Sequence, residues 1–134
     1  MSRFAAAAEQ LSLEEILAEA REGFLAWSAG AVADAKKAAP GLATDAFAEA
    51  WEVVFGVLHD CKGGGGSVGL DLVTAIADNG CRYLKGQKAA DAKVAAAAAA
   101  HLSAVEGVLR SGIVGDGGAA GQRLLEKLRS MTAA

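Results

Sequence analysis

A chain of 134 residues with a formal net charge of −3 is about one domain's worth, long enough to bury most of its apolar surface in a single core. That charge lacks the basic footprint of a nucleic-acid binder, so no nucleic-acid partner is expected. Alanine dominates, proline occurs once, and aromatic and β-branched residues are few, which favours helices over strands.

The chain start, Met1-Ser2-Arg3-Phe4-Ala5, has only a short apolar run before Glu9 and Gln10 and does not read as a secretory signal. The later run Val94 to Ala100 is far short of the roughly 20 residues that cross a bilayer. A cytoplasmic protein is expected, with no membrane partner and with Cys61 and Cys81 reduced.

Periodicity and punctuation predict five helices, at about 12–38, 44–66, 69–85, 91–110 and 118–131. The first opens on Ser12-Leu13-Glu14-Glu15, a capping-box spacing in which serine and glutamate satisfy each other's backbone N–H groups. Leu13, Ile16, Leu17, Ala20, Phe24 and Trp27 line one face, and Glu14, Glu15, Glu19 and Glu22 form the solvated side. Pro40-Gly41 closes the segment. Phe47, Trp51, Val54, Leu58 and Cys61 then recur by threes and fours, the spacing of a bundle seam.

The third helix turns Leu72, Val73, Ile76, Gly80 and Leu84 inward and breaks at Gly86-Gln87. Asp91 caps the fourth, whose inward positions are Val94, Ala98, Leu102, Val105 and Leu109, before Ser111-Gly112 ends it. Gly115-Asp116-Gly117-Gly118 turns the chain into a last helix bearing Leu124, Leu125, Leu128 and Met131, with Lys127 and Arg129 near its C-terminus. Short connections make the later helices antiparallel neighbours. The expected fold is all-α, a single domain over 1–134: an up-and-down antiparallel four-helix bundle with an additional N-terminal helix packed on it.

One stretch carries chemistry: Leu58-His59-Asp60-Cys61-Lys62-Gly63-Gly64-Gly65-Gly66-Ser67-Val68-Gly69-Leu70. Four consecutive glycines in a helix cost about 1 kcal/mol each relative to alanine, so they need a reason. A flexible linker is one reading. It would divide the chain into halves that each have apolar faces needing a mate. A nucleotide-phosphate loop is another, and it fails on order because Lys62 precedes the glycines and no strand leads into them.

The third is clearance around His59. Lys62, Gly63 and Gly66 follow it by three, four and seven residues, so all share its helix face. Glycine at 63 leaves the imidazole open to an incoming protein, and Lys62 places an ammonium beside any phosphoryl group there. Phe55, one turn earlier, reads either as the edge of the core or as part of the partner contact.

Other candidates carry less. The close Cys-x-x-Cys or His-x-x-x-His pairs of zinc sites are absent, so His59, Asp60, Cys61, Cys81 and His101 are not read as a metal site. The cysteines read as small core residues. His101, beside inward-facing Leu102 and without a lysine–glycine neighbourhood, reads as structural or solvent-facing. No Ser–His–Asp or paired-carboxylate arrangement suggests a hydrolase.

His59-Asp60-Cys61-Lys62-Gly63, continued by Gly66-Ser67-Val68-Gly69-Leu70, resembles the motif of the histidine-containing phosphotransfer (HPt) domains of bacterial two-component phosphorelays. The helix pattern agrees across essentially the whole chain. The resemblance implies that His59 accepts a phosphoryl group from an aspartyl phosphate on a receiver domain and passes it to another receiver. Lys62 would support the phosphate, while Phe55, Gly63 and Gly66 would meet the partner.

Family members often place a glutamine on the following helix near the active site. By position the match here is Cys81, a weaker hydrogen-bonding group, with Asn79 and Arg82 as nearby polar alternatives. The partners implied are receiver domains of hybrid histidine kinases and of response regulators. No cofactor of its own is implied, the divalent metal belonging to the receiver, and the chain has no room for an autokinase lobe. A monomeric shuttle is expected. The rival reading is a helical adaptor that binds receivers or other signalling proteins without carrying phosphate.

Overall fold

Ser12 opens the first helix as its spacing requires: its hydroxyl accepts the Glu15 amide at 3.1 Å, and α1 runs Leu13–Ala38. The computed structural model describes residues 12–133, so the reading of the chain start at residues 1–11 lies outside the described residues. A 3-10 turn, Ala39–Ala43, holds Pro40 near its start, where a missing amide is harmless, and leads into α2, Phe47–Ser67. Then come α3 (Asp71–Lys85), α4 (Ala92–Ser111) and α5 (Gly118–Thr132), with no strand among the described residues.

The largest boundary difference is at the start of α2, expected at 44 and found at 47. Thr44 makes its own turn instead: its hydroxyl accepts the Ala46 amide, and its carbonyl accepts the Phe47 amide. Asp91 caps α4 as expected, accepting the Lys93 amide at 2.7 Å, and Gly112 ends it in the left-handed region at φ 68°.

Close contacts set the topology. Phe24 of α1 lies on Gly64 of α2, while Gly41, just past α1, lies on Ala50, so these helices run antiparallel. Leu58 meets Gly80, and the Trp51 indole donates to the Leu84 carbonyl at 2.8 Å, which sets α2 antiparallel to α3. Gly80 also meets His101 of α4, and Lys36 pairs with Glu106 at 3.0 Å to bring α4 back against α1. The four helices α1 to α4 thus close a bundle around Val32, Val54, Leu58, Ile76, Leu102 and Val105, all essentially inaccessible.

The additional helix is therefore at the other end of the chain from where the pattern placed it. α5 lies outside the ring, against α3 and α4: Asn79 donates to the Thr132 hydroxyl at 3.2 Å, and Leu72 packs on Gly117 and Gly121. Helix order in a sequence does not say which helix closes the ring. α1 does so because its Lys36, Val32 and Ala35 reach the core and α4.

The inward face read for α1 also changes. Ser28, Val32 and Ala35 are its buried residues, whereas Leu13, Ile16 and Trp27 are 72%, 50% and 45% exposed. For Leu13 and Ile16 the cause is length; Trp27, next to buried Ser28, lies on a side of α1 that the neighbouring helices leave open. α2 stops at Ser67, and Arg21 already meets the following turn, its Nε donating to the Val68 carbonyl at 3.0 Å. Residues of α1 before Arg21 have no α2 opposite them.

α4 is long and apolar enough to pass for a membrane span by length and composition. In the fold, its Val94, Ala98, Leu102, Val105 and Val108 are buried in the bundle.

The glycine run is helical throughout and is no linker. A Cβ at Gly64 would lie 2.6 Å from Phe24 Cε2, and one at Gly65 would lie 3.2 Å from both Val73 Cγ1 and Thr74 Oγ1. At Gly66 it would be 3.2 Å from Thr74 Oγ1, whereas at Gly63 it would meet nothing within 4 Å. Packing against α1 and α3 therefore accounts for three of the glycines and leaves Gly63 unexplained from within.

Gly63→Ala is expected to stabilise the protein by up to about 1 kcal/mol through helix propensity alone. Gly64→Ala gains the same propensity but overpacks Phe24, so it should be less stable than Gly63→Ala by roughly 1–3 kcal/mol. Urea denaturation of the two variants checks this, and Phe24→Ala should shrink the difference.

Candidate functional site

Position 58 decides where position 59 points. Leu58 is fully buried against Gly80, and the next residue is rotated by about 100°, so His59 emerges from the bundle with its side chain 65% exposed. Four residues earlier, Phe55 packs beside the imidazole, with ring centroids 5.9 Å apart and planes tilted by 29°. Trp51 stacks on Phe55 in turn, at 4.5 Å and 6°. The Trp51 indole is tied to the Leu84 carbonyl, and Lys85 Nζ lies 5.9 Å from the Phe55 centroid. An aromatic ladder anchored on α3 thus supports the histidine ring.

Phe55 is partly buried against the core, as the core-edge reading expects, and it also packs beside the His59 ring. None of the three residues considered around position 81 reaches the His59 ring by a hydrogen bond. Cys81 is buried in the core with Cys61. Asn79 turns away, donating to His101 Nε2 at 2.8 Å and to Thr132, while Arg82 pairs with Asp78. Among the described residues the His59 ring has no hydrogen-bond partner. Its Nδ1 lies 3.9 Å from Asp60 Oδ1, too long for a hydrogen bond but close enough to feel the charge.

Lys62, one turn beyond His59, is held by α3. Its Nζ is 3.0 Å from Asp78 Oδ1, and the other carboxylate oxygen takes Arg82 at 3.0 Å. The Thr74 hydroxyl also donates to the Lys62 carbonyl at 2.8 Å, fixing the backbone there. Gly66 sits against that same Thr74, so its small size has an internal reason.

Gly63 does stand open beside His59, and a residue missed in the sequence stands with it. Gly56, three residues before His59, also has nothing within 4 Å of where a Cβ would be. By helical periodicity Gly56 and Gly63 flank the imidazole on one side, opposite Phe55 and Lys62. The glycine at −3 was legible from its number alone. Asp78, sixteen residues beyond Lys62 on another helix, was not.

The second histidine is sealed. His101 has no exposed surface; its Nδ1 donates to the Ala97 carbonyl at 2.7 Å, and its Nε2 accepts from Asn79. Burial pushes its pKa below the usual histidine value. The thiols of Cys61 and Cys81 are pushed up to about 11, chiefly by burial, so both are protonated at neutral pH. Among the described residues no three His, Cys, Asp or Glu side chains are grouped to hold a metal ion. The cavity between α1 and α4, lined by Leu25, Ala29, Val32, Glu106, Leu109 and Arg110, includes none of the residues around His59.

No family model, no curated protein and no solved structure matches the chain. The residues themselves must therefore carry the reading. They offer one nucleophilic ring on an open surface, a cation within one turn, and bare backbone on one flank.

Two outcomes are expected. Diethyl pyrocarbonate should modify His59 and spare His101, read by peptide mass spectrometry. Because the pKa of His101 is lowered on folding, the unfolded chain takes up this proton first as pH falls. The stabilisation is whole above about pH 6.5 and is lost below it, by at most about 1.4 kcal/mol per pH unit. His101→Gln should flatten the dependence of urea stability on pH between 7.5 and 5.5.

Proposed function

We propose that this chain is a histidine phosphotransfer protein that shuttles a phosphoryl group between aspartates of receiver domains through His59. The observation that carries the reading is the contrast within one helix. Three glycines after His59 are consumed by packing, whereas Gly56 and Gly63 beside the ring have no internal cause. Bare backbone beside an exposed imidazole suits a site that another protein must approach closely.

The chemistry follows from the ring's surroundings. Asp60 Oδ1 lies 3.9 Å from Nδ1, so Nε2, the ring nitrogen away from that carboxylate, is assigned the attack. Nε2 attacks phosphorus in line, the N–P bond forms, the acyl-phosphate P–O bond breaks, and the receiver's aspartate leaves as a carboxylate. The proton stays on Nδ1, where the neighbouring Asp60 offsets the new positive charge. A receiver aspartate reverses these steps. Catalytic metal belongs to the receiver; this chain supplies a positioned ring, the cation of Lys62 and a docking face that includes Phe55. As an intermediate without autokinase activity, the protein works as a cytoplasmic monomer between hybrid kinases and response regulators.

The HPt-like motif, with Lys62 one turn beyond an exposed His59, supports this reading over the adaptor, which gives that lysine no task; the open glycines suit either, since both need a partner at close range. Incubation with a ³²P-loaded receiver should place acid-labile, alkali-stable label on the wild type and none on His59→Gln. Gly63→Gln should slow labelling by roughly tenfold or more while helical content stays the same. Stable receiver binding with no label at any time favours the adaptor.

A further inference from the structure

The residue that ties Lys62 down lies outside the motif. Asp78 sits on α3 with its side chain 25% exposed, and each of its carboxylate oxygens engages one cation at 3.0 Å: Lys62 of α2 and Arg82 one turn along α3. Lys62 is 45% exposed and Arg82 78%, so both head groups remain in contact with water. An ammonium paired with a carboxylate has much of its charge offset, so it attracts a phosphoryl group less than a free one does.

We propose that Asp78 is a positioning residue for Lys62, holding the ammonium on the α3 flank until His59 carries a phosphoryl group and then releasing it. The inference rests on the reading of His59 as the phosphoacceptor. Arg82 makes release easier, because it stays on Asp78 and neutralises the carboxylate that Lys62 vacates. The three side chains form an exchange: two cations share one carboxylate before loading, and they share a carboxylate and a phosphoryl group afterwards. Exposed ion pairs are weak, so the pair holds Lys62 by only a factor of roughly two to five. Such a hold biases loading without blocking it.

Phosphoramidate tests this without any receiver. Its nitrogen is already protonated, so as the His59 Nε2–P bond forms the P–N bond breaks and neutral ammonia leaves, the ring proton staying on Nδ1. The ratio of loaded to free His59 at fixed phosphoramidate and ammonia is read by ³¹P NMR. Asp78→Asn should raise that ratio by roughly two- to fivefold, and Arg82→Gln should lower it, because Asp78 then grips Lys62 alone. In a Lys62→Met background both changes should vanish.

Equal loading of wild type, Asp78→Asn and Arg82→Gln overturns the proposal. So does a gain from Asp78→Asn that persists in Lys62→Met, since Asp78 would then act directly on the phosphoryl group. Arg82 is largely solvated, so its variant keeps the test alive if Asp78→Asn folds poorly. Failure of a phosphorylated receiver to label a protein that phosphoramidate does load would count against the phosphotransfer reading and leave the role of Asp78 standing.

Discussion

The seating of α2 between α1 and α3 is the constraint on which the rest depends. Where most helices would present side chains, α2 offers Gly64 to Phe24 and Gly65 to Val73 and Thr74, so its last turns lie closer to both neighbours than an alanine would allow without adjustment. Glycines cost helix propensity, about 1 kcal/mol each, and close packing offsets that loss. Further back, Leu58 locks into Gly80 and sets the rotation of the helix. A slip of one residue would turn α2 by about 100° and carry His59 away from the face it occupies. The site's exposure is thus a property of the core.

With the rotation set, the two flanks of His59 become unlike. On the α3 side stand the Trp51–Phe55 ladder, tied to the Leu84 carbonyl, and the Lys62–Asp78–Arg82 cluster. Gly56 and Gly63 leave the other flank bare. Support and charge come from one direction and access from the other. A ring packed on Phe55 has little orientational freedom left to lose when another group approaches it.

Much of this was legible in the sequence, for reasons that differ between elements. The seams of α2, α3 and α4 could be read because Val54, Leu58 and Cys61, like Leu72, Ile76 and Leu84, repeat where helices are opposed along their length. α1 misled because Leu13 and Ile16 repeat equally well beyond the end of α2, and periodicity reports a face without saying whether anything covers it. The extra helix was placed at the wrong end for a related reason: ring closure is a long-range fact, set by pairs such as Lys36 and Glu106 seventy residues apart. Within the site, His59, Lys62 and Gly63 stood together in one motif. Phe55 was visible from its place one turn before His59, whereas Asp78 lies on α3 and had no local sign. Gly63 and Gly66 share the His59 face by spacing, yet Gly66 has Thr74 beside it and only Gly63 stands open.

The atom that meets phosphorus is decisive, and ³¹P–¹⁵N NMR of ring-labelled protein reads it directly. After exposure to a receiver loaded with acetyl phosphate, the prediction is one-bond coupling between phosphorus and Nε2 of His59. Phosphorus bonded to Nδ1, to His101, or to no ring nitrogen would contradict it.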